Sequence, residues 1–332
     1  MVIGIMAGIA ALLVLGAVVL WSGCTSLTPF EEVRAAAGPG TYVPVNGARV
    51  YVEHTGQGKP PVVLLHGFAA SSYTFRKLIP ELARDREVIA IDWYGFGWTE
   101  RPQDRSAYLP PGQVAMIAEV LQQRGIGRAH VLGHSFGAVL ANAYARQHPE
   151  RVASLVLLSP ATRFDAVPWV LQTAAGRAVL YPFVRLMLSR PQRVKSLFAR
   201  GYHEPETLTD ADAEAYRQRL LVDGLWRALG GFFSGGDDAD VPDRPGYGVA
   251  GIPMQVIAGR HDPIVPIGDL EALRDDLRRE QPGLRWVVME DSAHNAPEEQ
   301  PEAMARALTT FFAEVESRDS AARTVPASGH PG

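Results

Sequence analysis

The sequence predicts an α/β fold, a mostly parallel sheet with helices on both faces and a helical cap inserted into it. Three observations carry that expectation. Short, continuous apolar runs of the kind buried on both faces alternate with amphipathic stretches at helical spacing. The alternation stops between about residues 162 and 250, where only helical patterns appear, and then resumes. Finally, the loops rich in Gly, Ser, His and Asp come directly after the apolar runs, where the carboxyl ends of parallel strands would place them on one rim.

The bulk properties set the frame. With 332 residues, 47% hydrophobic and 20% charged, the chain is long enough for one large core and is not a disordered polypeptide. A formal net charge of -4, with basic residues scattered along the sequence, argues against a nucleic-acid partner. The single cysteine, Cys24, precludes an intramolecular disulfide. From Val2 to Trp21 no residue is charged, a length that matches the hydrocarbon core of a bilayer. The following Leu20-Trp21-Ser22-Gly23-Cys24-Thr25-Ser26 is similar to a bacterial lipoprotein processing site. Residues 1–23 are therefore expected to act as an anchor or lipoprotein-type signal. Attachment to the extracytoplasmic side of a membrane, through a lipidated Cys24 or an uncleaved helix, is favoured over a cleaved signal and free secretion. Residues 24–40 read as a linker.

In chain order, Thr41-Tyr42-Val43-Pro44-Val45 and Arg49-Val50-Tyr51-Val52-Glu53-His54 flank Asn46-Gly47, a hairpin signal because both turn residues tolerate positive φ. Strands are expected over 61–65, 88–91, 129–132, 152–158, 254–258 and 285–289. Helices are expected over 72–84, 110–124, 267–280 and 301–315 around the sheet. Within the cap they are expected over 169–188, 193–200 and 211–229, the last capped by Thr209 or Asp210. The sheet domain is thus 41–161 plus 251–316, the cap 162–250, and 317–332 a disordered tail.

The chemistry centres on Val131-Leu132-Gly133-His134-Ser135-Phe136-Gly137, a Gly-x-Ser-x-Gly placed between an expected strand and a small-residue helix marked by Ala138, Ala141 and Ala145. Such spacing describes a serine on a sharp, strained turn, with glycines where strand and helix crowd. A serine hydroxyl is a poor nucleophile at neutral pH and needs an imidazole to accept its proton and a carboxylate to orient that imidazole. Asp262, in Gly259-Arg260-His261-Asp262-Pro263, and His294, in Ser292-Ala293-His294-Asn295, each follow a strand and complete the order Ser, Asp, His.

With His66-Gly67-Phe68, the Asp92-to-Gly97 loop, Gly133 to Gly137, Gly259 to Pro266 and Ala293-His294 in order, residues 42–315 resemble the α/β-hydrolase fold family, in its cap-bearing branch of esterases, carbon-carbon bond hydrolases, perhydrolases, epoxide hydrolases and haloalkane dehalogenases. The resemblance implies eight strands and an oxyanion hole made by the backbone N–H groups of Phe68 and Phe136. Ser135, where dehalogenases and epoxide hydrolases carry aspartate, points to an acyl-enzyme route.

Asp165 is a rival to Asp262 as the acid, and His294 has rivals in His261, which adjoins that acid, in His66, read as supporting the oxyanion loop, and in His134 and His148, read as structural. Asp92 is read as shaping its loop, and Trp93, Tyr94, Phe96 and Trp98 as either pocket lining or packing. The cap residues Trp169, Leu180, Phe183 and Trp226 are read mainly as helix packing. His130 and His134 have no third partner in register, so no metal site is expected, and no cofactor. The expected function is a carboxylesterase-like serine hydrolase acting on small to medium apolar acyl substrates. The alternatives are a carbon-carbon bond hydrolase or perhydrolase on the same residues, and a non-catalytic ligand-binding protein that retains the fold.

Overall fold

The computed structural model describes residues 26–58, 60–163, 174–233 and 246–324. Cys24, the apolar leader, Asp165 and Trp169 lie outside the described residues. Strands β1 (Thr41–Val45) and β2 (Ala48–Thr55) form the hairpin, turning through Asn46 and Gly47 with φ of 48° and 80°. They are followed by β3 (Val62–Leu65), β4 (Val88–Ile91), β5 (Ala129–His134), β6 (Val152–Leu158), β7 (Met254–Gly259) and β8 (Arg285–Met289). The eight strands make one sheet in the order β1-β2-β4-β3-β5-β6-β7-β8, antiparallel at the hairpin and its junction with β4 and parallel from β4 onward.

Because strand side chains alternate between faces, each buried run divides between two cores. Val63, Leu65, Ile89, Ile91, Val131, Leu155 and Leu157 face one side. There they meet α3 (Pro110–Gln123) and α4 (Phe136–Gln147), through Val114, Ile117, Ala138 and Ala141. Val62, Leu64, Ala90, Leu132, Val156 and Leu158 face the other side. They meet α2 (Leu78–Leu82) and, at the carboxyl end, α11 (Pro301–Thr324), through Leu78, Leu82, Leu308 and Phe312. The helix over 267–280 forms as α9 (Ile267–Glu280), and a short α10 (Ala296–Glu299) precedes α11.

Four elements depart from expectation. The helix expected over 72–84 is a 3-10 turn, Ser72–Phe75, followed by α2, because Pro80 has no N–H for the carbonyl of Arg76 and can stand only in the first turn of a helix. Part of the expected linker is helical. It holds α1 (Phe30–Ala36), whose Val33 is buried in a small core with Tyr51, Trp98 and Val222. Residues 317–324, read as the start of a disordered tail, continue α11, because Glu316 pairs with Arg86 and His130 and Asp319 with Arg128. The helix expected over 211–229 is two, α7 (Asp210–Leu220) and α8 (Leu225–Phe233), separated at Gly224, whose φ of +86° a helix cannot accommodate. The cap also contains α5 (Ala174–Leu188) and α6 (Pro191–Phe198). Thr209 caps α7 as expected, in a reciprocal box with Asp212.

Candidate active site

Ser135 stands alone between β5 and α4, with φ 54° and ψ -118°. A non-glycine residue there costs of order 1–3 kcal/mol, so the surroundings must enforce it. They do so with backbone bonds: the Ser135 N–H donates to the Leu158 carbonyl at 2.9 Å, and its carbonyl accepts from Ala138 at 3.0 Å and Ala161 at 3.3 Å. The two glycines are steric necessities. A Cβ on Gly133 would lie 2.2 Å from the Gly137 carbonyl oxygen, and one on Gly137 would lie 2.3 Å from the Leu65 oxygen and 2.4 Å from the His66 oxygen.

Asp262 and His294 come together from the loops after β7 and β8. Those loops are joined by backbone bonds from Arg260 to Met289 and from His261 to Ser292, each 3.0 Å. Gly259 lets them meet, since a Cβ there would lie 1.9 Å from the Ala293 oxygen. His294 Nδ1 donates to Asp262 Oδ2 at 2.7 Å, and Asp262 Oδ1 accepts from the N–H groups of Ile264 and Val265 at 2.8 and 2.9 Å. Burial alone would raise the Asp262 carboxyl, but the His294 bond and the two backbone donors outweigh it and hold the group below the usual aspartate range. With Nδ1 committed to Asp262, Nε2 is left as the basic nitrogen.

Ser135 and His294 share this rim through His134, whose Nε2 donates to the His294 carbonyl at 2.8 Å and whose ring centroid lies 4.7 Å from that of His294. Among the described residues no hydrogen bond joins the Ser135 hydroxyl to His294. The closed pair is Asp262–His294. The rival acid Asp165 falls outside the described residues.

Phe68 and Phe136 flank the serine. A Cβ on Gly67, the residue before Phe68, would sit 3.2 Å from the Ser135 Cβ. Phe136 is the first residue of α4, at the positive end of the helix dipole. His66 holds the Phe68 loop. Its Nδ1 donates to the Gly67 carbonyl at 2.8 Å, its ring stacks on Trp93, and its own carbonyl accepts from Trp93 Nε1 at 2.9 Å. Burial pushes the His66 imidazole down to about 4, and burial with the neighbouring His294 pushes His134 down to about 3, so both are neutral at pH 7.

Asp92 shapes its loop. Its carboxylate accepts from the N–H groups of Ser72 at 2.6 Å and Trp98 at 2.8 Å, and Gly97 has no room for a Cβ against it. Trp93, Tyr94, Phe96 and Trp98 are all buried, which favours the packing reading. The surface over Ser135 is aromatic. Phe232, near the end of α8, packs on Phe136 with centroids 5.1 Å apart and on Phe68 at 5.2 Å, while Phe68 itself remains 39% exposed. Phe183, expected to pack within the cap, is instead 52% exposed, whereas Trp226 does pack, against Tyr181.

Two participants went unnoticed in the sequence. Glu299 clasps the histidine loop to the cap. One carboxylate oxygen accepts from the Ala293 N–H at 2.9 Å and the Ser292 hydroxyl at 3.1 Å, and the other accepts from the His203 N–H at 2.6 Å. The Gly201 carbonyl receives the His294 N–H at 3.0 Å and Asn295 Nδ2 at 3.1 Å. His203 stacks on His261 across the same seam, with centroids 3.9 Å apart. The bonds from Glu299 to His203 and from Asn295 to Gly201 join residues 96 and 94 positions apart, and no local pattern in the sequence announces them.

Comparison with known proteins identifies the fold. A family model described as the alpha/beta hydrolase fold matches residues 60–301. A 2-hydroxymuconate semialdehyde hydrolase of Pseudomonas putida is 29% identical over 288 residues, covering 82% of this chain and 94% of its own. The monoacylglycerol lipase abhd6-B of Xenopus laevis is 25% identical over 277 residues, covering 79% of this chain and 78% of its own. Among solved structures, a meta-cleavage product hydrolase from Pseudomonas fluorescens IP01 superposes with a TM-score of 0.66 at 23% identity, covering 83% of this chain and 98% of that one.

Proposed function

Since the chain belongs to the α/β-hydrolase fold family, whose model spans residues 60–301, we propose that it is a serine hydrolase in which Ser135 attacks an acyl carbonyl, His294 carries the proton and Asp262 orients the imidazole. One observation carries this reading: a serine held at positive φ between two obligatory glycines shares its sheet rim with a closed Asp262–His294 hydrogen bond.

In the first half-reaction His294 Nε2 takes the hydroxyl proton as Oγ bonds to the carbonyl carbon, and the backbone N–H groups of Phe68 and Phe136 receive the oxyanion, a contribution of roughly 3 to 4 kcal/mol. Collapse of the tetrahedral adduct expels the alcohol, which takes the proton from His294, and leaves an ester on Ser135. Water, deprotonated by the same imidazole, then releases the carboxylic acid. The lowered Asp262 carboxyl suits this cycle, because it stays ionised beside the imidazolium that forms twice. The aromatic surface from Phe68, Phe136 and Phe232 favours small to medium apolar acyl groups, hence carboxylic esters.

A serine-directed fluorophosphonate tests the assignment. The wild-type chain should be labelled once, on Ser135, and Ser135→Ala should lose both the label and hydrolysis of short-chain aryl esters. An unlabelled wild-type chain would instead mark a non-catalytic binding protein. A second reading, cleavage of a carbon-carbon bond next to a carbonyl, is favoured by the similarity to the Pseudomonas putida hydrolase along most of both chains. Turnover of vinylogous diketones faster than esters would select it, and turnover of peroxide with a carboxylic acid would select a perhydrolase. Membrane attachment through the uncharged stretch from Val2 to Trp21 belongs to the same proposal, and the mass of the amino-terminal peptide would reveal a lipid on Cys24.

A further inference from the structure

Thr28, seven residues past the uncharged stretch, meets the cap. Thr28 donates its N–H to the Leu221 carbonyl at 2.7 Å and accepts from the Asp223 N–H at 2.9 Å, a parallel bridge to Val222 in the turn between α7 and α8. One helical turn back, Arg217 Nε donates to the Leu188 carbonyl at 2.8 Å, at the end of α5. Tyr181 of α5 donates its hydroxyl to the Trp226 carbonyl at 3.1 Å, at the start of α8. Thr28 therefore lies near the corner where α5 passes into α6. The chain from Trp21 to Thr28 spans at most about 25 Å when fully extended. If the leader enters a bilayer, this corner cannot stand far from the membrane surface.

The corner has the chemistry of such a surface. Between Ala174 and Arg200 the sequence carries Arg177, Arg185, Arg190, Arg193, Lys195 and Arg200 and no aspartate or glutamate, in a chain whose net charge is -4. Arg190 and Arg200 are exposed. Interleaved with them, Phe183 is 52% and Leu197 45% exposed, although both are large apolar side chains. Leu180, Val184, Leu186 and Met187 are only half-buried, which leaves α5 with apolar surface that no described element covers. A basic helix pair with exposed Phe and Leu matches a surface that is anionic outside and apolar beneath.

We propose that the α5–α6 face of the cap seats on an anionic lipid bilayer, held there by the leader, so that the site draws its acyl substrate from the bilayer. This inference rests on the membrane attachment and acyl chemistry proposed above. The route is short. α8 starts three residues after the Val222 bridge and reaches Phe232, on Phe136 and Phe68, after roughly 10 Å at 1.5 Å per residue.

The test uses the full chain reconstituted into vesicles of phosphatidylcholine alone or with 30 mol% phosphatidylglycerol. Hydrogen exchange in the peptides covering 180–200 should slow at least threefold on the anionic vesicles. The double variant Phe183→Asp/Leu197→Asp, and separately Arg190→Gln/Arg200→Gln, should cancel that protection. Both should lower turnover of a long-chain acylglycerol held in the vesicles about tenfold and leave a water-soluble short-chain aryl ester within twofold. A chain that floats with the vesicles yet shows no protection at 180–200 overturns the docking face while keeping the anchor. Equal losses on both substrates also overturn it, since they mark a general defect of the cap. Protection that follows protein concentration and ignores lipid charge assigns the face to a second copy of the chain. A chain that does not float removes the attachment and the docking together. Protection without hydrolysis of either ester leaves the docking standing and defeats the acyl chemistry.

Discussion

Asp262 does two jobs with its two oxygens, and a substitution can separate them. The change Asp262→Asn keeps an acceptor for the Ile264 and Val265 N–H groups but presents an amide N–H to His294 Nδ1. The imidazole must then carry its proton on Nε2, the nitrogen that has to accept one. The expected outcome is a kcat on aryl esters lower by roughly 10³ to 10⁴, with KM within a few-fold and little change in melting temperature. Glu299 calls for a different signature. Glu299→Gln places an amide N–H against either the Ala293 or the His203 N–H, so the clasp opens on one side. Steady-state kinetics should show kcat down ten- to hundredfold from a displaced imidazole, with a normal rate of phosphonate binding before the covalent step. Ser135, Asp262 and His294 were legible as candidates in the sequence because their order and strand-end positions are local properties of three short motifs. Glu299 could not, because a carboxylate five residues beyond a histidine has no meaning until the cap lies against it.

At the level of elements, the junction of β3, β5 and α4 leaves no room for a side chain on either Gly133 or Gly137. Gly137→Ala puts a methyl group within 2.4 Å of two backbone oxygens that cannot yield, so α4 must lift away from β3. Chemical denaturation should record a loss of about 2 to 3 kcal/mol, and activity should fall further than stability because the helix carries the Phe136 amide. The strands were readable as runs such as Val152-Ala153-Ser154-Leu155-Val156-Leu157-Leu158, which no amphipathic helix would tolerate, and α9 as a plain 3.6-residue pattern. Element boundaries were less readable where one residue overrules a periodic pattern. Pro80 divided one expected helix and Gly224 another, although the apolar spacing continued through both. The continuation of α11 was hidden for the opposite reason. Its polar residues look solvated in isolation and acquire Arg86, His130 and Arg128 as partners only in the fold.

For the whole molecule, buried histidines set the response to acid. Burial holds His66 and His130 down to about 4 and His134 down to about 3, against an ordinary value of 6.5. Between those limits the unfolded chain binds protons that the folded chain refuses, so stability is full above about pH 6.5 and is lost as pH falls toward 4 and 3. The urea midpoint should therefore drop between pH 7 and pH 5, and His130→Gln should flatten the slope, since Gln retains partners in Ser154 and Glu316 without titrating. A midpoint independent of pH across that range would contradict the assignment of these three imidazoles as neutral.

The adjacency of β6 and β7 has a further consequence, in the order of assembly. These strands pair directly, yet the whole cap intervenes between Leu158 and Met254. Closing a loop of that length costs roughly 4 kcal/mol in chain entropy on logarithmic scaling, whereas β1 to β6 are joined by much shorter connections. The nucleophile turn is complete in the part of the chain that is synthesised first, while Asp262 and His294 arrive with the last two strands. A chain released before residue 254 would thus display the proposed nucleophile without its base, and reactivity toward a phosphonate would appear only once both β7 and β8 have joined the sheet. On the proposed mechanism, hydrolytic competence waits for the last two strands of the sheet.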